Sequence, residues 1–211
     1  MGSKKADEVF SMSLQEFYML ASLRGLEEVY GFVCDMESQS DEDMVKILYG
    51  LAKKQILKVE NDTFQLEQPY KKMMDYVQYG NRALRIQSAD TSVPVCIAYM
   101  GEKFLITKVS PVNSSQLLLQ WREKSELSKY LKDAGYYENL WEGAFGEESN
   151  CVLLELRLIK LPQMQIQKMM AIEKKQEQYR ILYSDEDGNA AVEEGLQSAD
   201  YILDRLISGE E

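Results

Sequence analysis

The hydrophobic pattern of the chain changes near Ala83, and this change constrains the fold more than any other feature of the sequence. Before it, apolar residues recur at intervals of three and four, which is typical of amphipathic helices. After it, apolar and polar residues alternate, as they do in strands with one buried face. In the clearest strand, Val152 and Leu154 share one face while Glu155 falls on the other. The sequence therefore predicts an α+β protein in which a helical segment precedes an antiparallel sheet.

The same change of pattern predicts how the chain is organised. It divides into a flexible N-terminus at residues 1–12, a helical winged-helix-like lobe at residues 13–80, and an α+β sheet region at residues 81–211. The lobe and the sheet region are expected to pack together as one compact domain, since 211 residues suffice for one large domain.

Capping signals place the helices of the lobe. Ser13 followed by Glu16 is the capping-box pattern, so a first helix is expected over residues 13–26. Ser40 precedes three acidic residues that suit a helix N-terminus, which predicts a second helix to about residue 56. Pro69 is expected to open a third helix that runs to about Gly80.

A short hairpin is expected between the second and third helices. Residues 57–66 alternate apolar and polar side chains around the turn residues Asn61 and Asp62. Two helices, a two-stranded wing and a further helix make the lobe winged-helix-like.

Two similar halves are predicted to share the central antiparallel sheet. Residues 82–135 and 151–209 each read as strands, a hairpin and a closing helix. In the first half the strand candidates are residues 84–88, 93–100, 103–109 and 116–120, and the helix is residues 121–134, closed by Gly135. In the second half the closing helix is expected over residues 196–207. The pattern of residues 163–176 leaves a helix and a long connection open.

The composition removes most enzyme classes. The chain has no histidine, which excludes Ser-His-Asp and Cys-His nucleophile systems and HExxH metal sites. It has three widely spaced cysteines, of which Cys96 lies in an apolar run and is predicted to be a small buried hydrophobe. No phosphate-binding loop, dinucleotide fingerprint or GxSxG elbow is present. A non-enzymatic protein without metal or cofactor is therefore expected, with an acid-pair hydrolase as a distant alternative.

Charge limits the class of partner. The net charge of −11 disfavours nucleic acid and anionic membrane surfaces, because both require a basic patch. No apolar run is long enough to span a bilayer, and the N-terminus does not lead into a signal region. A cytoplasmic protein that binds another protein is expected. A transcription regulator that uses the winged-helix-like lobe remains the alternative.

An aromatic-rich segment after Gly135 is the predicted recognition surface. Five large apolar side chains stand there among glycines: Tyr136, Tyr137, Leu140, Trp141 and Phe145. Such side chains anchor many protein interfaces. The other interpretation is that these rings cover the sheet edge and complete the core.

The order of elements resembles a known family. Residues 14–26 (LQEFYMLASLRGL), residues 51–59 (LAKKQILKV) and the closing pattern from residues 179–182 (YRIL) to the last helix are similar to the EspG-like cytosolic chaperones of type VII (ESX) secretion. Those chaperones hold helical secretion substrates. Low arginine with high lysine, methionine and tyrosine is typical of a low-GC source, so the resemblance implies a small helical secretion substrate as client.

Overall fold

A nine-stranded antiparallel sheet organises the chain. The computed structural model describes residues 8–26, 29–34, 36, 38–80, 82–88, 93–136, 152–160, 163–175, 178–185 and 189–196. The helices are α1 (Leu14–Leu23), α2 (Asp41–Lys53), α3 (Tyr70–Tyr79) and α4 (Leu127–Asp133). The strands are β1 (Val9–Ser13), β2 (Leu57–Glu60), β3 (Thr63–Leu66), β4 (Arg82–Gln87), β5 (Cys96–Met100), β6 (Phe104–Val109), β7 (Gln116–Arg122), β8 (Val152–Lys160), β9 (Gln163–Lys175), β10 (Gln178–Asp185) and β11 (Ala190–Leu196).

Two four-stranded meanders form most of the sheet. The strand order is β1-β7-β6-β5-β4-β8-β9-β10-β11, so β4 and β8 meet at the centre and each meander runs outward from there. β4 and β8 are antiparallel, with Leu84 opposite Leu156, which relates the two halves by an approximate two-fold axis. The α+β class and the central antiparallel sheet built from two halves are confirmed. Of the closing helix expected over residues 196–207, only Leu196 is described, and it is the last residue of β11. Residues 197–207 lie outside the described residues.

The predicted helices of the N-terminal lobe are present, and their caps explain their starts. The Ser13 hydroxyl accepts the Glu16 N–H at 3.0 Å, while a Glu16 carboxylate oxygen accepts the Ser13 N–H at 2.8 Å, so the capping box is complete. The Ser40 hydroxyl accepts the Asp43 N–H at the start of α2. These bonds satisfy backbone donors that a helix N-terminus leaves without partners.

The same C-terminal cap ends α1, α2 and α4. After α1, Gly25 has φ +78° and donates its N–H to Ser22, while Leu26 donates to Ala21 and is buried. This pair of bonds is the Schellman motif, in which the residue after the left-handed position packs back on the helix. Gln55 takes the left-handed position after α2, with φ +57°, so α2 ends at Lys53 rather than near residue 56.

The expected wing is present between α2 and α3. Leu57 pairs with Leu66 and Val59 with Phe64 in an antiparallel hairpin, hereafter the wing (β2, β3 and their turn). The turn residues Asn61 and Asp62 both have positive φ, as a two-residue type I′ turn requires.

The core lies on both faces of the sheet. Along β5, Ile97 and Tyr99 pack into a cluster beneath α1, α2 and α3, whereas Cys96 and Ala98 pack into a second cluster beneath α4. A strand covered on both faces reads as a continuous apolar run rather than as an alternation. Cys96 is fully buried, as predicted, and burial raises the pKa of its thiol to about 12.

Of the segment 163–176, the described residues 163–175 are neither a helix nor a long connection. Gln163–Lys175 form β9, which pairs with β8 on one side and β10 on the other. β8 pairs with residues 163–172 of β9 and β10 pairs with residues 168–175, so ladders on both sides satisfy the backbone donors and acceptors of residues 168–172. The alternation of Met164, Ile166, Met170 and Ile172 is the sequence signal for this strand.

Two further boundaries differ from those expected. Trp121 does not begin a helix: β7 continues to Arg122, a 3-10 turn follows, and α4 begins at Leu127. Trp121 continues the face of Leu119 and contacts the Tyr76 ring edge-on at 4.7 Å, which favours the strand. At the N-terminus, Val9–Ser13 form the edge strand β1 against β7, so the flexible segment expected over residues 1–12 does not extend to Val9.

An ion pair between a buried carboxylate and a half-exposed lysine joins α1 to the end of α2. Both Glu16 carboxylate oxygens lie within 2.8 Å of Lys54 Nζ, and the Glu16 side chain is 8% exposed. Lys54→Met would leave this carboxylate without its cation. Because Lys54 is 49% exposed, we expect a loss of only about 1–2 kcal/mol in the free energy of unfolding, measured by urea denaturation. Lys53→Met, next in the chain and outside any ion pair among the described residues, is the control, and an equal loss there would contradict the prediction.

Candidate protein-binding surface

The predicted recognition segment is only partly described, and its first residue is buried. Gly135 has φ +84° and ends α4 with the same Schellman bonds, Gly135 N–H to Lys132 and Tyr136 N–H to Leu131. This motif turns the Tyr136 ring into the second core cluster, where its hydroxyl donates to the Pro94 carbonyl at 2.6 Å. Tyr136 therefore completes the core and offers no exposed ring. Tyr137, Leu140, Trp141 and Phe145 lie outside the described residues.

Exposed apolar side chains concentrate instead on α2 and the wing. Ten large apolar side chains are exposed in the described part of the chain, and four of them, Val45, Tyr49, Val59 and Phe64, lie on these two adjacent elements. We call these four residues the α2–wing surface. Single exposed apolar residues are ordinary, but a concentration on neighbouring elements is typical of an interaction site.

The helical part of this surface follows from the two faces of α2. Leu48 and Leu51 face the core below the helix. Val45 and Tyr49, four residues apart, form a stripe on the opposite face, and Tyr49 is 70% exposed. Tyrosine combines a large apolar ring with a polar end, which suits a surface that is wet when free and dry when bound.

The strand part of this surface follows from the pleat of the wing. Leu57, Leu66, Val59 and Phe64 share one face of the hairpin, because paired residues and alternate residues along a strand lie on the same side. Leu57 is buried and Leu66 packs against the core, whereas Val59 and the 48%-exposed Phe64 lie farther out. The apolar face of the wing thus extends beyond the core that anchors it.

The charges around the surface are mainly acidic or already paired. Lys46 forms ion pairs with Glu42 at 2.9 Å and with Asp43 at 3.3 Å, and hydrogen bonds to these two carboxylates raise its pKa. A hydrogen bond with Glu67 likewise raises the pKa of Lys58. The pKa of Asp43 is lowered, first by the Ser40 hydrogen bond and then by Lys46. These lysines have carboxylate partners within the protein, which reduces the positive field available to a phosphate backbone.

No protein-family model matches the sequence, and a search of curated proteins finds no match. The resemblance to EspG-like chaperones stays a prediction. The chemistry of the α2–wing surface is therefore the basis for assigning a function.

The sequence contained a signal for this surface. The inward face of α2 is defined by Met44, Ile47, Leu48 and Leu51. Val45 and Tyr49 fall outside that face at a spacing of four residues, so the helix has two apolar stripes rather than one. An amphipathic helix with a second apolar stripe presents that stripe to something other than its own core.

Proposed function

We propose that this protein is a non-enzymatic adaptor or chaperone that binds a helical protein client in the cytoplasm. The observation that carries the proposal is the exposure of Val45, Tyr49, Val59 and Phe64 on adjacent elements. No catalytic group is needed for this function, which agrees with the sequence's lack of histidine.

An amphipathic helix is the occupant that this surface favours. Val45 and Tyr49 offer an apolar stripe with the four-residue spacing that a partner helix also uses. Asp41 at the start of α2 and Asp62 at the tip of the wing are acidic, and neither forms an ion pair with another described residue. A client helix with an apolar face and basic flanks would complement both features. The small helical secretion substrate implied by the EspG-like resemblance belongs to this class.

The charge pattern weighs against the alternative of a transcription regulator. α2 and the wing occupy the positions of recognition helix and wing, and both would need cations free to contact phosphates. Lys46 and Lys58 each pair with carboxylates and α2 begins with three acidic residues, which leaves Lys53 as the lysine of α2 outside any ion pair among the described residues. A protein partner makes better use of this surface than a nucleic-acid duplex does.

The test is affinity purification of the tagged protein from its native host, followed by mass spectrometry. The wild-type protein is expected to retain one small helical protein at near-equal stoichiometry. Tyr49→Ser combined with Phe64→Ser should weaken retention strongly, because each anchor is expected to contribute about 2 kcal/mol, roughly thirtyfold in Kd. Both residues are exposed, so the thermal midpoint should stay unchanged.

The matched control is Tyr79→Ser combined with Val112→Ser, which removes exposed apolar side chains elsewhere on the protein. This variant should retain the client as the wild-type protein does. Equal retention by all three proteins would exclude the α2–wing surface. Recovery of DNA and polymerase components, with no small protein, would instead favour the regulator.

A further inference from the structure

A cleft lies between α3 and the turn that joins β5 to β6. Its volume is about 480 Å³, which is the size of a small-molecule site. Tyr76 and Tyr79, neighbours on one face of α3, contribute two aromatic rings to its lining, and Met100 at the end of β5 adds an apolar side chain. The lining also includes charged side chains from α3 and from the turn.

The Tyr76 ring is held in place by contacts with the turn and with β7. A Cβ atom at Gly101 would lie 2.6 Å from Cε1 of Tyr76, so the turn approaches the ring as closely as a glycine allows. The Tyr76 hydroxyl accepts the Lys103 N–H at 3.4 Å, and its ring meets the Trp121 ring edge-on at 4.7 Å between centroids. Tyr76 therefore forms a fixed wall of the cleft.

An ion pair beside the cleft orients the Tyr79 ring. Arg24 pairs with Asp75 and donates from Nε to the Gln78 side chain at 2.8 Å. Its Cζ lies 5.7 Å from the centroid of the Tyr79 ring, within the range of a cation–π contact. The ring is nevertheless 70% exposed, so it can stack on a ligand. Because Arg24 neutralises Asp75, this carboxylate adds little net charge to the cleft.

One cation and one anion of the cleft lack a counter-ion among the described residues. Lys72 and Glu102 both line the cleft and are exposed, and neither forms an ion pair with the other or with another described residue. Lys72 Nζ lies 5.5 Å from the centroid of the Trp121 ring, which places the cation next to the Tyr76 wall. A single unpaired surface charge is ordinary. Two opposite charges at one aromatic cleft match a ligand that carries both charges and a ring.

We propose that this cleft binds a small aromatic zwitterion, either a free aromatic amino acid or a short peptide with both ends charged. Lys72 pairs with the carboxylate of the ligand, and Glu102 pairs with its ammonium group. The ring of the ligand packs against Tyr76 and Tyr79. None of these residues belongs to the α2–wing surface, so this site does not depend on the proposed protein client.

The experiment is an NMR titration of the full-length ¹⁵N-labelled protein with L-phenylalanine and, separately, with glycyl-L-phenylalanine. The amide signals of Gly80 and Gly101 report on the cleft, because both glycines line it. We expect saturable shifts with a Kd on the order of 1 mM for at least one compound. The charges are farther apart in the dipeptide, so the tighter binder identifies an amino-acid site or a peptide site. Absence of saturation with both compounds up to roughly 10 mM, ten times that Kd, would overturn the proposal.

Two derivatives of the tighter binder test whether the cleft recognises both charges. The N-acetyl derivative lacks the ammonium group and the C-terminal amide lacks the carboxylate, while both keep the ring. Each should bind roughly tenfold more weakly than the parent compound, since one charge-assisted contact is lost. Binding of either derivative as tight as that of the parent would overturn the assignment to a zwitterion.

Three variants assign the two charges to residues. Lys72→Gln should weaken binding of the parent compound roughly tenfold and leave binding of the C-terminal amide unchanged, because the amide offers no carboxylate. Glu102→Gln should weaken binding of the parent equally and leave binding of the N-acetyl derivative unchanged. Lys71→Gln, next in the chain and outside the lining, is the matched control and should bind as the wild type does. All three side chains are exposed, so the fold should be unchanged. Equal losses in Lys71→Gln and Lys72→Gln, or no loss in either cleft variant, would overturn the proposal.

Discussion

Gly31→Ala is expected to lower the free energy of unfolding by about 2–5 kcal/mol, combining left-handed backbone strain with overpacking. Gly31 has φ +84°, a conformation that side chains disfavour. A Cβ atom there would also lie 2.7 Å from Cγ1 of Ile97, far inside van der Waals contact. Ile97 is fully buried near the start of β5 and has little freedom to move.

Gly25→Ala separates the cost of backbone strain from the cost of overpacking. Gly25 also has a positive φ, +78°, but a Cβ atom there would meet no heavy atom within 4 Å. Only backbone strain remains, so a loss of about 1–2 kcal/mol is expected. Urea denaturation of both variants gives the comparison. Equal losses in the two variants would mean that the contact with Ile97 costs nothing.

The reason for this sensitivity is that the segment around Gly31 is fixed on both sides. The Tyr30 carbonyl accepts the Tyr99 hydroxyl at 3.4 Å, and the Phe32 carbonyl accepts the Tyr18 hydroxyl. The segment therefore bridges β5 below it and α1 beside it. A shift that relieves the clash at Gly31 would break one of these bonds.

No local pattern in the sequence predicts that position 31 requires glycine. The residues between the first two helices show neither helical nor strand periodicity, and the atom that demands glycine at Gly31 belongs to Ile97, far along the chain. Sequence patterns predict elements whose causes are local, such as the cap at Ser13 and the turn at Asn61. They do not predict close approaches between distant segments.

β9 illustrates the same limit for secondary structure. Met164, Ile166, Met170 and Ile172 alternate as a strand requires, but Lys168 interrupts the alternation. The adjacent pair Met169 and Met170, followed by Ile172, fits a helical face equally well. Pairing with β8 and β10 decides in favour of the strand, and that pairing is a property of the whole sheet.

The sequence favours a protein-binding surface, but it does not indicate on which elements the structure exposes apolar side chains. The sequence indicates a protein-binding function through its charge and its lack of catalytic groups. The sequence predicts that the aromatic-rich segment after Gly135 is the recognition surface. In the structure, the cap at Gly135 buries the first residue of that segment, Tyr136. Composition cannot distinguish a buried ring from an exposed one, because tyrosine is common in both settings. The second stripe on α2 becomes meaningful only when the first is known to be buried.

Phe17→Ala should lower the free energy of unfolding by about 3–5 kcal/mol, the usual cost of removing a buried phenylalanine. Phe17 is fully buried within the N-terminal lobe, where its ring meets Phe32 edge-on at 6.3 Å between centroids. The loss combines transfer of the ring to water, the cavity that remains and the aromatic contact. Urea denaturation monitored by circular dichroism measures it.

Phe64→Ala makes the same substitution on the α2–wing surface, where we expect the opposite result: little loss of stability but weaker retention of the client. Phe64 is exposed, so its removal should change the free energy of unfolding by no more than about 0.5 kcal/mol while it weakens client retention. Phe17→Ala, assayed well below its unfolding transition, should keep the client, because Phe17 contributes nothing to the exposed surface. A large loss of stability in Phe64→Ala would mean that the wing belongs to the core of the lobe. Its apolar face would then have a structural role, and the argument for a client at that surface would fail.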